Sequence, residues 1–124
     1  CKLKKMNQTE TLLKAVIKGI QEKKGKKIIT VDLTTLPGAI CEYMVICEGS
    51  NPNQLSALSD SVWDIARIDA GEKPMSIDGD RNSPWIGIDY GTVIVHIFMP
   101  EQRSFYDLEH LWADSKIVEI PDLD

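Results

Sequence analysis

The sequence predicts a single α/β domain: one mixed β-sheet flanked by helices. Three observations carry this. Segments with helical and strand-like apolar spacing run in the order helix, strand, strand, helix, strand, strand, helix, which packs as helices on a sheet. Two strand segments, Tyr43 to Cys47 and Thr92 to Met99, are apolar on both faces, as interior strands are. The length of 124 residues suffices for one compact domain, and 43% hydrophobic with 27% charged residues is near the globular average.

Each element has its own signal. Asn7-Gln8-Thr9-Glu10 resembles a capping box, and Leu12, Leu13, Val16, Ile17 and Ile20 follow at helical spacing. Lys23 and Lys24 suit the negative end of the helix dipole, and Gly25 suits a left-handed stop, so a helix is expected over 8–24. Ile28 to Leu33 is short and rich in β-branched residues, a strand. Pro37-Gly38 breaks the chain before the strand Tyr43 to Cys47. Gly49-Ser50-Asn51-Pro52 is a turn that opens a helix, with Ser50 or Asn51 as cap and Pro52 in the first turn. Leu55, Leu58, Val62, Ile65 and Ala66 form its buried stripe, and Gly71 closes it. Residues 72–84 are polar and punctuated by Pro74, Gly79 and Pro84, a surface connection with a short edge strand around Met75–Ile77. Trp85 to Asp89 and Thr92 to Met99 are strands joined by a tight turn at Tyr90-Gly91. Pro100 ends the second, and Arg103 to Trp112 fits a helix with Phe105, Leu108 and Trp112 inward. Residues 1–6 form a leader of unassigned structure ahead of Met6, 7–115 the folded domain, and 116–124 an acidic tail expected to pack loosely.

Charge is unevenly placed. The net charge of −5 divides into residues 1–30, with nine lysines and two acids (net +7), and residues 31–124, net −12. An acidic body repels phosphate backbones and suits a basic protein partner, so the body itself requires no direct nucleic-acid contact. The lysines of the first helix read first as a solvated face, although they could touch RNA. Cys41 and Cys47 sit at the ends of one apolar run; along a strand they would be roughly 20 Å apart, beyond disulfide reach. No Cys/His set has zinc spacing, and free thiols fit a reducing cytosol. No run is long enough to span a bilayer, and nothing reads as a signal peptide.

Candidate chemistry is thin. Gly49-Ser50 between strand and helix invites a nucleotidyltransferase reading, since a helix start binds phosphate. That chemistry needs paired carboxylates on a neighbouring strand for metal ions, and no Asp-x-Asp follows. Asp78-Gly79-Asp80-Arg81-Asn82 opens like a calcium loop, but Ser83 stands where Gly makes the sharp turn, Pro84 follows, and Asp89 stands where a bidentate Glu is needed. His96 lies inside an apolar strand and reads as a core histidine, and His110 has no nucleophile at a motif spacing. No cofactor, metal or catalytic residue is therefore expected. The aromatics Trp85, Tyr90, Phe105, Tyr106 and Trp112 share the last third with Asp89, Arg103, Asp107 and Glu109, and aromatics with Arg dominate binding hot spots. Phe105 and Trp112 are expected inside; Trp85 after Pro84 and Tyr90 in its turn are expected exposed.

That third also carries a family resemblance. Trp85-Ile86-Gly87-Ile88-Asp89-Tyr90-Gly91, Val93 to Phe98 and Arg103-Ser104-Phe105-Tyr106-Asp107-Leu108-Glu109-His110-Leu111-Trp112 resemble the Iojap-like pattern W-x₃-D-Y-G-D-x-V-V-H followed by R-x-[FY]-Y-[DE]-L-E-x-L-W. Tyr43 to Cys47 with Gly49-Ser50 and Gln54 is similar to the family's second strand and turn, so the likeness spans most of 7–115. Thr92 stands where the family often has Asp, and Ser50-Asn51 reverses the commoner order. The resemblance implies a nucleotidyltransferase-like fold without catalytic carboxylates. It also implies a ribosomal silencing factor, not an enzyme. Such a factor binds ribosomal protein L-fourteen on the large ribosomal subunit, blocks joining of the small subunit and so represses translation. On that reading Trp85, Asp89, Tyr90, Arg103 and Tyr106 form much of the partner-binding surface, with Trp85 and Tyr90 as apolar anchors and Asp89 meeting a basic group. A homodimer is compatible with the sequence, and the absence of a transit peptide points to a bacterial cytoplasm.

Overall fold

The computed structural model describes residues 2–34, 38, 41–79, 82–106 and 116–120, with the side chains of 2–7, 105, 106 and 116 outside the description. Its elements are α1 (Lys2–Glu22), β1 (Lys26–Asp32), β2 (Tyr43–Glu48), α2 (Pro52–Ala70), β3 (Ser76–Asp78), β4 (Trp85–Asp89), β5 (Val93–Phe98), α3 (Pro100–Tyr106) and β6 (Lys116–Ile120). The strands form one mixed sheet in the order β3-β4-β5-β2-β1-β6. β2 and β5 pair in parallel at its centre, and the flanking pairs are antiparallel.

The apolar alternation decides which side chain goes where. Val93, Val95 and Ile97 of β5 and Val45 and Cys47 of β2 meet Leu12, Val16 and Ile20 of α1 and Leu55, Leu58, Val62 and Ala66 of α2. Their strand neighbours point the other way, where Met44, Ile46 and Phe98 pack with Ile29, Val31, Leu33 and Cys41. Burying each such side chain contributes about 1.5–3 kcal/mol, so the central strands are anchored from both sides. The helices touch at Gly19. A Cβ there would lie 2.9 Å from Val62 Cα, and Ser61 Oγ donates to Gly19 O at 2.8 Å. Small residues at the crossing let the two backbones approach.

The α2 boundaries match their sequence signals. Asn51 Oδ1 accepts from Gln54 N, Pro52 fills the first turn, and Gly71 (φ 66) closes the helix. Four expectations need correction. The first helix already includes Lys2, so Asn7-Gln8-Thr9-Glu10 is not its cap; Leu3, Lys4, Lys5 and Met6 are good helix formers. The left-handed residue that ends it is Lys24 (φ 60), not Gly25. Gly25 is needed instead for space, since a Cβ would lie 2.4 Å from Ile20 Cγ2. The tail does not pack loosely over 116–120: it forms β6, paired antiparallel with β1 from Ile28↔Ile120 to Asp32↔Lys116. The last helix begins at Pro100, three residues before the expected start. Its expected continuation, with Leu108 and Trp112, lies outside the described residues, as does the side chain of Phe105.

Candidate docking site

β4 and β5 build an aromatic platform on the sheet face turned away from α1 and α2. Trp85, Gly87 and Asp89 stand opposite Phe98, His96 and Ile94. Trp85 Nε1 donates to His96 Nδ1 at 3.1 Å, which places the imidazole proton on Nε2. The Trp85 and His96 rings stack at 6.0 Å, and His96 stacks on Phe98 at 5.7 Å with planes 8° apart. Gly87 makes this possible: a Cβ there would lie 2.6 Å from Trp85 Cζ2. Burial pushes the His96 pKa down to about 4, so the ring is neutral and serves as acceptor.

An acidic margin flanks the platform. Asp89 Oδ1 accepts from Gly91 N at 2.7 Å, which holds the β4–β5 turn, where Gly91 has φ +87. Asp89 is half-buried, so its carboxylate remains reachable from solvent. β3 extends the face outward: Ser76 pairs with Asp89 and Asp78 with Gly87, and all three β3 residues are exposed. Beside Asp89 lies Cys41, whose thiol pKa is raised to about 11 chiefly by burial and then by the Asp89 charge. Cys47, fully enclosed, is pushed up to about 12 for the first of these reasons. Both cysteines are free, buried and protonated at neutral pH, so neither offers a thiolate nucleophile.

The five residues expected at the docking surface fare differently. Trp85 and Asp89, both half-buried, share one face of the sheet. Tyr90 does not join them. It is 6% exposed and packs in the cluster of Ile86, Ile88, Val62 and Ala66, on the helix side of the sheet. The pleat explains this: Tyr90 follows Asp89 and points to the opposite face. Its phenolic OH is buried without a partner, and burial raises its pKa to about 12. Arg103 is 9% exposed. Its Nη1 donates to Lys27 O at 2.5 Å and to Glu48 Oε1 at 3.3 Å, so it ties α3 to the ends of β1 and β2 and is not displayed to a partner. Tyr106 ends α3, and its side chain lies outside the described residues. Sequence reasoning places His96 in the core and gives Gly87 and Asp78 no part in the docking surface. An isolated glycine inside a strand beside Trp85 was the available signal for close approach.

The Gly49-Ser50 turn is structural. Ser50 N and Oγ donate to Gln54 Oε1 at 2.7 and 2.9 Å, and Gln54 Nε2 donates to Lys23 O and Lys24 O, both at 3.2 Å. The turn's donors are thus spent on Gln54, whose amide joins α2 to the end of α1. Among the described residues no group of three or more His, Cys, Asp or Glu is placed to hold a metal ion. No helix among them is long and apolar enough to cross a membrane.

Comparison with known proteins gives the family and the fold. Residues 6–124 match the family model described as "Ribosomal silencing factor during starvation". The chain is 37% identical over 112 residues to the ribosomal silencing factor RsfS of Zymomonas mobilis, covering 86% of this chain and 82% of that protein. It is 35% identical over 82 residues to the chloroplastic protein Iojap of Zea mays, covering 64% of this chain and 34% of that one. A crystal structure of a Chromobacterium violaceum protein superposes with a TM-score of 0.76 at 31% identity, over 84% of this chain and 85% of that one.

Proposed function

Because this chain belongs to the ribosomal silencing factor family, we propose that it docks on the large ribosomal subunit through the Trp85–Asp89 face. There it keeps the small subunit from joining and so represses translation in the cytoplasm. The observation that supports this most is the pairing of a half-buried tryptophan, held flat by Gly87 and His96, with the carboxylates of Asp89 and Asp78 on one sheet face. A preorganised aromatic with an acidic rim suits a basic protein surface, because the ring loses little freedom on binding and the acids steer approach. The proposed partner is ribosomal protein L-fourteen. The effect is by occupancy, with no catalytic step.

The test reads binding to purified large subunits by co-sedimentation, together with formation of joined ribosomes. Asp89→Asn keeps an oxygen for Gly91 N and removes only the charge; Asp89→Lys reverses it. Asn should weaken binding modestly, and Lys by several kcal/mol, about a hundredfold or more. The loss of the turn bond costs Asp89→Lys about 1 kcal/mol of stability, so the fold persists. Full affinity in a folded Asp89→Lys protein would remove this face from the contact.

A further inference from the structure

We propose that the turn between α1 and β1, Lys23 to Lys27, is a second contact of this chain, made with the phosphate backbone of ribosomal RNA beside the protein docking site. The inference rests on the large-subunit reading above and adds a nucleic-acid partner to it. Lys23-Lys24-Gly25-Lys26-Lys27 carries four lysines in a protein whose residues 31–124 are net −12.

The backbone here is built against its own preference. Lys24 (φ 60) and Lys27 (φ 49) are the non-glycine residues with positive φ among the described ones. Glycine or asparagine would relieve that conformation, so lysine stands there in spite of the backbone. The turn is also pinned from beneath. Lys23 O and Lys24 O accept from Gln54, Lys27 O accepts from Arg103, and Gly25 N donates to Ile20 O at 3.0 Å. Gly25 is buried against Ile20 and Leu58. With these carbonyls turned inward, the side chains of Lys23, Lys24 and Lys27 are exposed. Lys18, by contrast, is engaged with Asp69 at 3.3 Å, whereas Lys23 and Lys24 have no acidic partner among the described residues.

Position ties the turn to the docking face. Lys26 pairs with Glu48, Glu48 with Phe98, and Phe98 with Trp85, so the turn and Trp85 lie on one row at one end of the sheet. Three strand spacings put the Lys26 and Trp85 backbones about 15 Å apart. On that docking reading, phosphates of the surrounding ribosomal RNA would meet exposed ammonium groups on a turn whose backbone is already fixed. The acidic residues 31–124 would oppose RNA binding through the body of the molecule.

The test compares full-length wild type, Lys23→Gln/Lys24→Gln and Lys23→Arg/Lys24→Arg for binding to purified large ribosomal subunits at 50 and 200 mM monovalent salt. Hydroxyl-radical footprints of the ribosomal RNA are recorded in parallel. Two phosphate contacts account for a slope of about 1.5 in log affinity against log salt. Wild type should therefore lose roughly eightfold more affinity than the Gln variant over this range, and the Arg variant should behave as wild type. Riboses protected by wild type should lose protection in the Gln variant at equal occupancy. Equal affinity and slope for wild type and the Gln variant would overturn the contact. Weaker binding with an unchanged RNA footprint would overturn it in favour of an acidic protein neighbour. If wild type binds no subunit at all, the docking reading fails and this contact with it; if it binds and only the lysine result fails, the docking reading stands.

Discussion

At the residue scale, one histidine decides how the candidate site is held. His96 lies mid-strand among apolar residues, the usual setting of a packed core side chain, yet it forms the floor on which Trp85 rests. Its depressed pKa has a consequence for stability. The unfolded chain takes up a proton near pH 6.5, whereas the folded chain does so near 4 because burial disfavours the cation. Above about pH 6.5 both states are neutral and His96 costs nothing. As pH falls towards 4 the unfolded state binds more protons, so stability is lost through that window, by about 3 kcal/mol in total. His96→Gln keeps an acceptor for the indole but cannot titrate. Its urea midpoint should fall less than that of wild type between pH 7 and 4.5, and parallel decreases would show that His96 does not drive the change.

At the scale of elements, a buried ion pair ties α3 to the sheet. Arg103 and Glu48 are each 10% exposed at their side chains and 3.3 Å apart. Removing one partner of a buried pair leaves the other charge uncompensated, at about 3–5 kcal/mol. Arg103→Ala should therefore lower the unfolding free energy by that amount, and Glu48→Gln added to it should recover part of the loss. Additive effects in denaturant titrations would mean that the pair carries no coupling. This explains why Arg103 read as a surface residue: the sequence offers no sign that Glu48, 55 positions earlier, ends a strand beneath it. β6 was missed for a related reason. Lys116 to Ile120 alternates charged and apolar residues weakly, and its strand state comes from the unpaired edge of β1 that it covers.

At the scale of the molecule, charge and shape work together. The sheet separates the face packed on α1 and α2 from the opposite one, whose β3–β4 edge carries Trp85, Asp89 and Asp78. A factor that acts only by occupying a joining face follows mass action. Inhibition of subunit joining should saturate with protein concentration and disappear on dilution, as read by gradient sedimentation of mixed subunits. Inhibition that outlasts removal of the protein would mean that a subunit had been chemically altered.

The sequence by itself determined the α/β class, the two buried central strands, the cap and stop of α2, and the family. These rest on local chemistry: strand alternation, a helical stripe, a proline in a first turn and long motifs at the C-terminal end. It also brought Trp85 and Asp89 together, because residues four apart in a strand share a face. Only the tertiary structure decided that Tyr90 belongs to the core, that Arg103 is a buried clamp, and that His96 supports the tryptophan. Exposure of a turn residue depends on what packs over it. Here the pleat turned Tyr90 towards the helix side of the sheet, where Val62 and Ala66 of α2 share its cluster, a neighbourhood set by sheet order that no local pattern encodes.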